Sequence, residues 1–281
     1  MLRVIDPHIH LIDLQQGRYD WLKEVHAPHW PDKAKIRRDF SEADLVLETS
    51  AALAGFVHIE AGFDNESPWR ELAWLERHCQ LPFKSVAFAD LTSTDFPAQL
   101  ARLTAFSSLV GIRHILDENA GAILANELVR QHLRLLSEQG LMFEAQLPLA
   151  VPSAADALNQ VLLSLPRLKV VVNHCGSAAQ LSEHWMNGIM RLAQHPECAI
   201  KCSGWEMFDA AWSLDEIKPM VSFLIGQFGL PRVMLASNFP VSEMACSYAE
   251  VWSRYLNEMD WSPREKEMLV YKNAKRIYQF S

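Results

Sequence analysis

Residues 109–147 read LVGIRHIL-DENAGAILANELVRQHLRLLSEQG-LMFEAQL, and this stretch decides the fold. A short apolar run is followed by an amphipathic segment that Gly140 stops, and then by a second apolar run. That is strand, helix, strand. Eight apolar runs along the chain keep the same rhythm: LRVI (2–5), GFVHIEA (55–61), KSVAFADL (84–91), LVGIRHIL (109–116), LMFEAQL (141–147), LKVVVNHCG (168–176), CAIKCSG (198–204) and RVMLASNFPV (232–241). Most are nearly continuous in apolar residues, as strands buried on both faces must be. Helix-forming segments such as SPWRELAWLERHC lie between them. Eight βα units predict an α/β fold of one (β/α)₈ barrel spanning residues 1–281 as a single domain.

Composition narrows the function. With 49% hydrophobic and 21% charged residues the chain is an ordinary globular protein. A net charge of -8 argues against a nucleic-acid partner, which calls for a basic face. No apolar run is long enough for a membrane span, and Asp6 and His8 interrupt any signal peptide at once. The five cysteines include no C-x-x-C pair, so they read as reduced thiols and the expected compartment is the cytoplasm. The expected partner is a small-molecule substrate, with a homodimer as the expected assembly.

One interval breaks the rhythm. Roughly fifty residues separate the first two apolar runs, and RYDWLKEVHAPHWPDKAKIRRDF (18–40) within them is rich in aromatics and histidine. A loop this long after a strand is expected to form a lid over the C-terminal mouth of the barrel. Trp21 and Trp30 in it could stack on a sugar ring, whereas Trp69 and Trp74 fall in a helical pattern and read as packing.

Polar groups collect at the predicted strand ends. His8 and His10 leave the first strand two residues apart, on one side of it. His58 and Glu60 come from the second strand, Arg113 and His114 from the fourth, and Glu144 and Gln146 from the fifth. His174 comes from the sixth, and Ser237 and Asn238 from the eighth. A lone buried histidine is usually a satisfied core residue, but six strands delivering polar ends to one mouth predict a site.

IDPHIH (5–10), NHCG (173–176) and ASNFPV (236–241) resemble the amidohydrolase superfamily. The similarity is greater to its amidohydrolase 2 branch, which includes sugar-acid lactonases and 2-pyrone-4,6-dicarboxylate lactonase. YDWL (19–22), RDFSEADL (38–45), VHIEA (57–61), GIRHIL (111–116) and NAKRIY (273–278) extend that resemblance along the chain. It implies a hydrolase in which water attacks a carbonyl carbon, with His8, His10 and His174 lining the site. It also implies an eighth-strand aspartate that activates the water, and here that position is Asn238. An amide takes no proton at neutral pH and is a poor metal ligand.

The resemblance implies one divalent metal, zinc or similar, on His8 and His10, with a metal-independent reaction as the alternative. A third ligand would have to be Glu60, Glu144 or His174. The proton acceptor is expected to be His174 first, since imidazole titrates near neutrality, and Glu60 second. Arg113 is expected to clamp a carboxylate or oxyanion, or else to form a structural ion pair. Gln146, Ser237, His58, His114 and Trp21 are the remaining candidates for substrate binding, although only one of Arg113 and His114 should face the lumen. Cys175 reads as core. The expected reaction is opening of a cyclic ester, the lactone of a sugar acid or related carboxylic compound. The alternatives are a metal-dependent decarboxylase and a barrel that only binds a small ligand.

Overall fold

In a computed structural model, which describes residues 1–178 and 180–281, the eight predicted strands are all present. They are β1 (Arg3–Ile9), β2 (Ala52–Ile59), β3 (Phe83–Phe88), β4 (Leu109–Ile115), β5 (Met142–Gln146), β6 (Val170–Val172), β7 (Cys198–Cys202) and β8 (Val233–Leu235). All are parallel and paired in chain order. The barrel closes where β1 meets the residues after β8. His10 N donates to Phe239 O at 2.6 Å, and Asn238 N donates to His8 O at 3.1 Å. This is the (β/α)₈ barrel expected from the apolar runs.

The helices cover the outside with their apolar faces. Helix Glu127–Glu138 buries Val129, Leu133 and Leu136 at helical spacing, and Gly140 beyond it takes a left-handed φ of 71°. Of the described helices, none is long and apolar enough to cross a membrane. All five cysteines are free thiols, and Cys175 is buried.

Two predicted strands are shorter than their apolar text, and the difference matters. β6 ends at Val172 and β8 at Leu235, so His174 and Asn238 lie in the turns beyond them. His174 and Asn238 hold φ values of 49° and 61°. Left-handed backbone at non-glycine residues is costly and gathers at functional sites. At β1 the cause is Pro7, which has no N–H to give to the ladder. The pairing jumps from Asp6–Phe56 to Ile9–His58, three steps against two, so β1 bulges just where His8 emerges. Asp6 accepts from His8 N and Ser237 N at 3.1 and 3.2 Å and so ties β1 to β8 across the bulge. Its burial pushes its pKa up to about 6.

The long first βα loop carries three short 3-10 turns, Asp20–Leu22, Lys33–Ile36 and Glu42–Asp44. It is held by a buried lysine. Lys33 Nζ donates to the carbonyls of Trp21, Lys23 and His26 at 2.7–2.8 Å, using all three of its hydrogens on the loop's own backbone.

Candidate active site

At the C-terminal mouth lies a cavity of about 1010 Å³. Its inner wall includes His10, Glu60, Arg113, Gln146, His174 and Asn238. Trp21 and Trp30 border it from the first loop, meeting edge to face at 6.4 Å, and Trp21 Nε1 is anchored on Ala61 O at 2.7 Å. The first loop therefore does form part of the cavity wall.

Three imidazoles meet at its base: His10 and His174 line the cavity, and His8 is fully buried outside the lining, packed against both. The ring centres of His8 and His174 are 4.5 Å apart and those of His8 and His10 5.1 Å. Residues 166 positions apart in sequence thus share one floor. All three have pKa values well below the ordinary 6.5, chiefly because burial penalises the charged form. The cations Arg113 and Lys201 add to the effect on His8 and His174, and Arg113 adds to it on His10. At neutral pH each ring is uncharged and carries one proton.

Hydrogen-bond partners decide where two of those protons sit. His10 Nδ1 faces the carbonyl oxygens of Ile59 and Glu60 at 2.8 and 3.2 Å, which can only accept. Nδ1 of His10 therefore holds the proton and Nε2 keeps a lone pair. His174 Nδ1 is 3.0 Å from Ser203 Oγ, a group able to donate or accept. The close approach behind His174 needs Gly204, where a Cβ would stand 2.7 Å from His174 Nδ1 on a backbone with φ of 77°.

The other wall is an ion pair. Arg113 Nε donates to Glu60 Oε1 at 2.8 Å, Nη2 to Glu60 O at 2.8 Å and Nη1 to Gln146 Oε1 at 3.1 Å. Arg113 thus forms an ion pair, and that pair itself borders the cavity. Burial raises the Glu60 pKa while Arg113 pulls it back. His114 stands at the rim beside Arg113, and its Nδ1 accepts from Leu91 N at 3.2 Å. Both neighbours line the cavity, although both still pair with β5 in the ladder.

Other candidates are placed elsewhere. His58 is buried, accepts from Leu11 N at 3.2 Å and donates Nε2–H to Glu71 at 3.0 Å; it supports the strand ends from outside the cavity lining. Ser237 is likewise outside the lining, its hydroxyl accepting from Phe239 N at 3.0 Å. Glu144 points into the barrel below the floor, where Lys201 Nζ lies 2.8 Å from one oxygen and Tyr278 donates to the other at 2.5 Å.

Two residues absent from the sequence reading complete the surroundings. Lys201 is fully buried on β7, and a lysine inside CAIKC was the signal for it, because lysine is rarely buried without a partner. Glu206, on the turn Trp205–Met207, accepts from Asn238 Nδ2 at 2.6 Å and is pushed up to about 7 by burial. Nothing in its local sequence marks it.

Members of the amidohydrolase superfamily commonly bind a divalent metal. The donors present here do not fit one. Among the described residues no three His, Cys, Asp or Glu side chains are grouped to hold a metal ion. Glu60 and Glu144 are committed to Arg113 and Lys201, Asn238 gives its Nδ2 to Glu206 and offers only a neutral amide oxygen where the family has a carboxylate, and His8 turns Nδ1 toward the Lys201 ammonium. That leaves His10 and His174, short of the three protein ligands a catalytic zinc takes.

A parallel eight-stranded barrel with imidazoles gathered at its C-terminal mouth defines the class: an enzyme of the TIM-barrel type. The amidohydrolase family profile matches residues 5–280, so the chain belongs to that family, and it is a hydrolase. It is 27% identical to an L-fucono-1,5-lactonase of Burkholderia ambifaria over 289 residues, covering 98% of this chain and 95% of that one. An amidohydrolase of Burkholderia multivorans with bound zinc superposes with a TM-score of 0.79 at 19% identity, over 99% of both chains. The 5-carboxyvanillate decarboxylase of Sphingomonas paucimobilis does so with 0.65 at 14% identity, over 100% of both chains. At these identities the two structures speak to the fold alone.

Proposed function

We propose that the protein opens the lactone of a sugar acid by adding water at the ring carbonyl. The observation that carries this reading is the contrast within the cavity between an uncharged reactive floor and an acidic wall. Of the two arginines bordering it, Arg113 is paired with Glu60 at 2.8 Å and Arg18 with Glu66 at 3.0 Å. Asp117 and Glu118 add carboxylates without further cations in the lining, while Asp20 is paired with Lys23. Such a wall repels a polyanion and suits a neutral, hydroxyl-rich ring. The L-fucono-1,5-lactonase of B. ambifaria supports the same substrate class.

In this mechanism the ring stacks near Trp21 while Gln146 and the rim carboxylates take its hydroxyls. The lone pair on His10 Nε2 accepts a proton from water as the water oxygen bonds to the carbonyl carbon. The sequence favoured His174 for this step; the two carbonyls on His10 Nδ1 make His10 the acceptor whose tautomer is fixed. Negative charge on the carbonyl oxygen is stabilised by N–H donors on the floor and by Arg113. The ring C–O bond then breaks, and the proton held by His10 passes to the departing ring oxygen, leaving a hydroxy acid. Lowered imidazole basicity suits an ester better than an amide, whose leaving group needs more help.

Decarboxylation is less well served, because a carboxylate substrate would meet the carboxylates of the acidic wall. The test is a panel of neutral sugar lactones, dicarboxylate lactones and aromatic carboxylates, followed by acid release or CO₂ evolution. Acid release from a neutral lactone is expected, at least tenfold faster in kcat/KM than from any dianion. CO₂ from a carboxylate with no lactone opened would overturn the reading.

A further inference from the structure

His8 and His10 are two residues apart, yet their Nδ1 atoms face opposite chemistry. His10 Nδ1 looks at two carbonyl oxygens. His8 Nδ1 looks at the Nζ of Lys201, 3.4 Å away. Lys201 is fully buried, which lowers its pKa to about 8, while its pairing with Glu144 at 2.8 Å opposes that fall, so it is an ammonium at pH 7. Tyr278 closes the other side of Glu144. These groups come from β1, β5, β7 and the C-terminal segment, so the chain of contacts crosses the barrel lumen beneath the floor.

An ammonium has hydrogens to give and no lone pair to receive one. A proton on His8 Nδ1 would point one positive hydrogen at another, so that nitrogen presents its lone pair. The single proton of the neutral ring then sits on Nε2, on the far side of the ring from Lys201. His8 Nε2 is buried and has no hydrogen-bond partner among the described residues. A buried N–H without a partner is costly, and the His8 ring, itself outside the cavity lining, packs against His10 and His174, which line it. Metal-binding histidines show the reverse order, with the second nitrogen donating to an acceptor behind it.

We propose that Lys201 is a positioning residue that holds His8 as its Nε2–H tautomer, making His8 a hydrogen-bond donor to the bound ligand and withdrawing it from any metal ligand set. Neighbouring histidines on one strand thereby acquire complementary roles: His10 accepts and His8 donates. For a lactone, the recipient is the carbonyl oxygen as it gains charge. That last assignment rests on the lactone reading; the tautomer does not.

The test is imidazole ¹⁵N NMR of the full-length protein labelled at histidine, with the His8 signals identified by their loss in His8→Gln. Wild type is expected to show His8 protonated at Nε2, and so is Lys201→Arg, whose guanidinium also only donates. Lys201→Gln, whose amide oxygen can accept, is expected to shift the proton to Nδ1. On the best lactone, Lys201→Gln is expected to lose about a hundredfold in kcat with little change in KM, while Lys201→Arg recovers most of it. After incubation with zinc and desalting, wild type is expected to hold no stoichiometric zinc and Lys201→Gln to gain it. Wild-type His8 protonated at Nδ1, or one zinc per wild-type chain, overturns the proposal. Both readouts need no substrate, so their failure is distinct from failure of the lactone reading. If Lys201→Gln does not fold, the wild-type spectrum decides alone.

Discussion

The cavity floor and the column beneath it are both made of buried polar side chains, but they are finished differently. In the column the opposite charges are paired, Glu144 with Lys201 at 2.8 Å, with Tyr278 donating to Glu144 and Lys201 facing His8. Glu144 Oε2 nevertheless meets Lys201 as an ion pair without a hydrogen bond. On the floor the ring nitrogens turned back toward the protein are engaged, at His10 and at His174, while His8 Nε2 has no partner among the described residues. A satisfied buried network specifies structure, and one left open by a single bond per residue is poised for a ligand. Burial of polar groups alone therefore does not mark a catalytic centre; the direction of the last unmade hydrogen bond does.

Floor and column can each be struck separately. Glu144→Gln strikes the column: it leaves Lys201 as an uncompensated buried charge and is expected to cost about 3–5 kcal/mol of stability, read as a large fall in Tm. His10→Asn strikes the floor. The shorter amide can still donate to the Ile59 carbonyl, so Tm should hardly move, while kcat drops about a thousandfold. A His10→Asn enzyme with near-normal kcat would mean that the floor is not where the proton goes.

Glu206 lies between the two cases, since it stands at the edge of the floor yet is a buried acid. Its folded pKa of about 7 is raised from 4.5, so the folded state binds the proton more tightly than the unfolded one. Its contribution is therefore full below pH 4.5 and is lost as pH rises through 7, a loss on the order of 3 kcal/mol. Glu206→Gln should raise Tm relative to wild type by an amount that grows between pH 5 and pH 8. A constant difference across that range would show that Glu206 does not titrate there.

The smallest effect is on the pH–rate profile. The acceptor His10 is packed against Arg113, His58 and His174, and with burial these hold its pKa well below 6.5. The base must be unprotonated, so the acid limb of kcat/KM should lie below pH 6.5, with no loss of rate between pH 6.5 and 7.5 from this group. A limb centred at 6.5 or above would assign the step to another residue.

Much of the fold and the floor was legible in the chain itself, and the reasons differ by residue. The strands showed because buried parallel strands must be apolar on both faces, and Gly140 punctuated its helix by taking a left-handed φ. His10, His174 and Asn238 showed because a polar side chain that ends a buried apolar run adds nothing to packing and must be desolvated to sit there. The sequence could not show Glu206 or the Glu144–Lys201 pairing, since these contacts join β7 and its following turn to β5 and β8 across the lumen. Nor could it show which histidine donates: His8 and His10 read identically, and only the groups behind them, an ammonium and two carbonyls, tell them apart. His58 and Ser237 looked like their neighbours but turn to backbone and carboxylate partners outside the cavity lining.

The most direct test of a lactone-opening floor is a crystal structure with a sugar-acid lactam, a ring amide that mimics the lactone and resists hydrolysis. The lactam carbonyl oxygen is expected within about 3 Å of an imidazole or Arg113 nitrogen on the floor, with the ring lying toward Trp21. A lactam seated away from the histidines, its carbonyl touching none of these groups, would contradict that role for the floor.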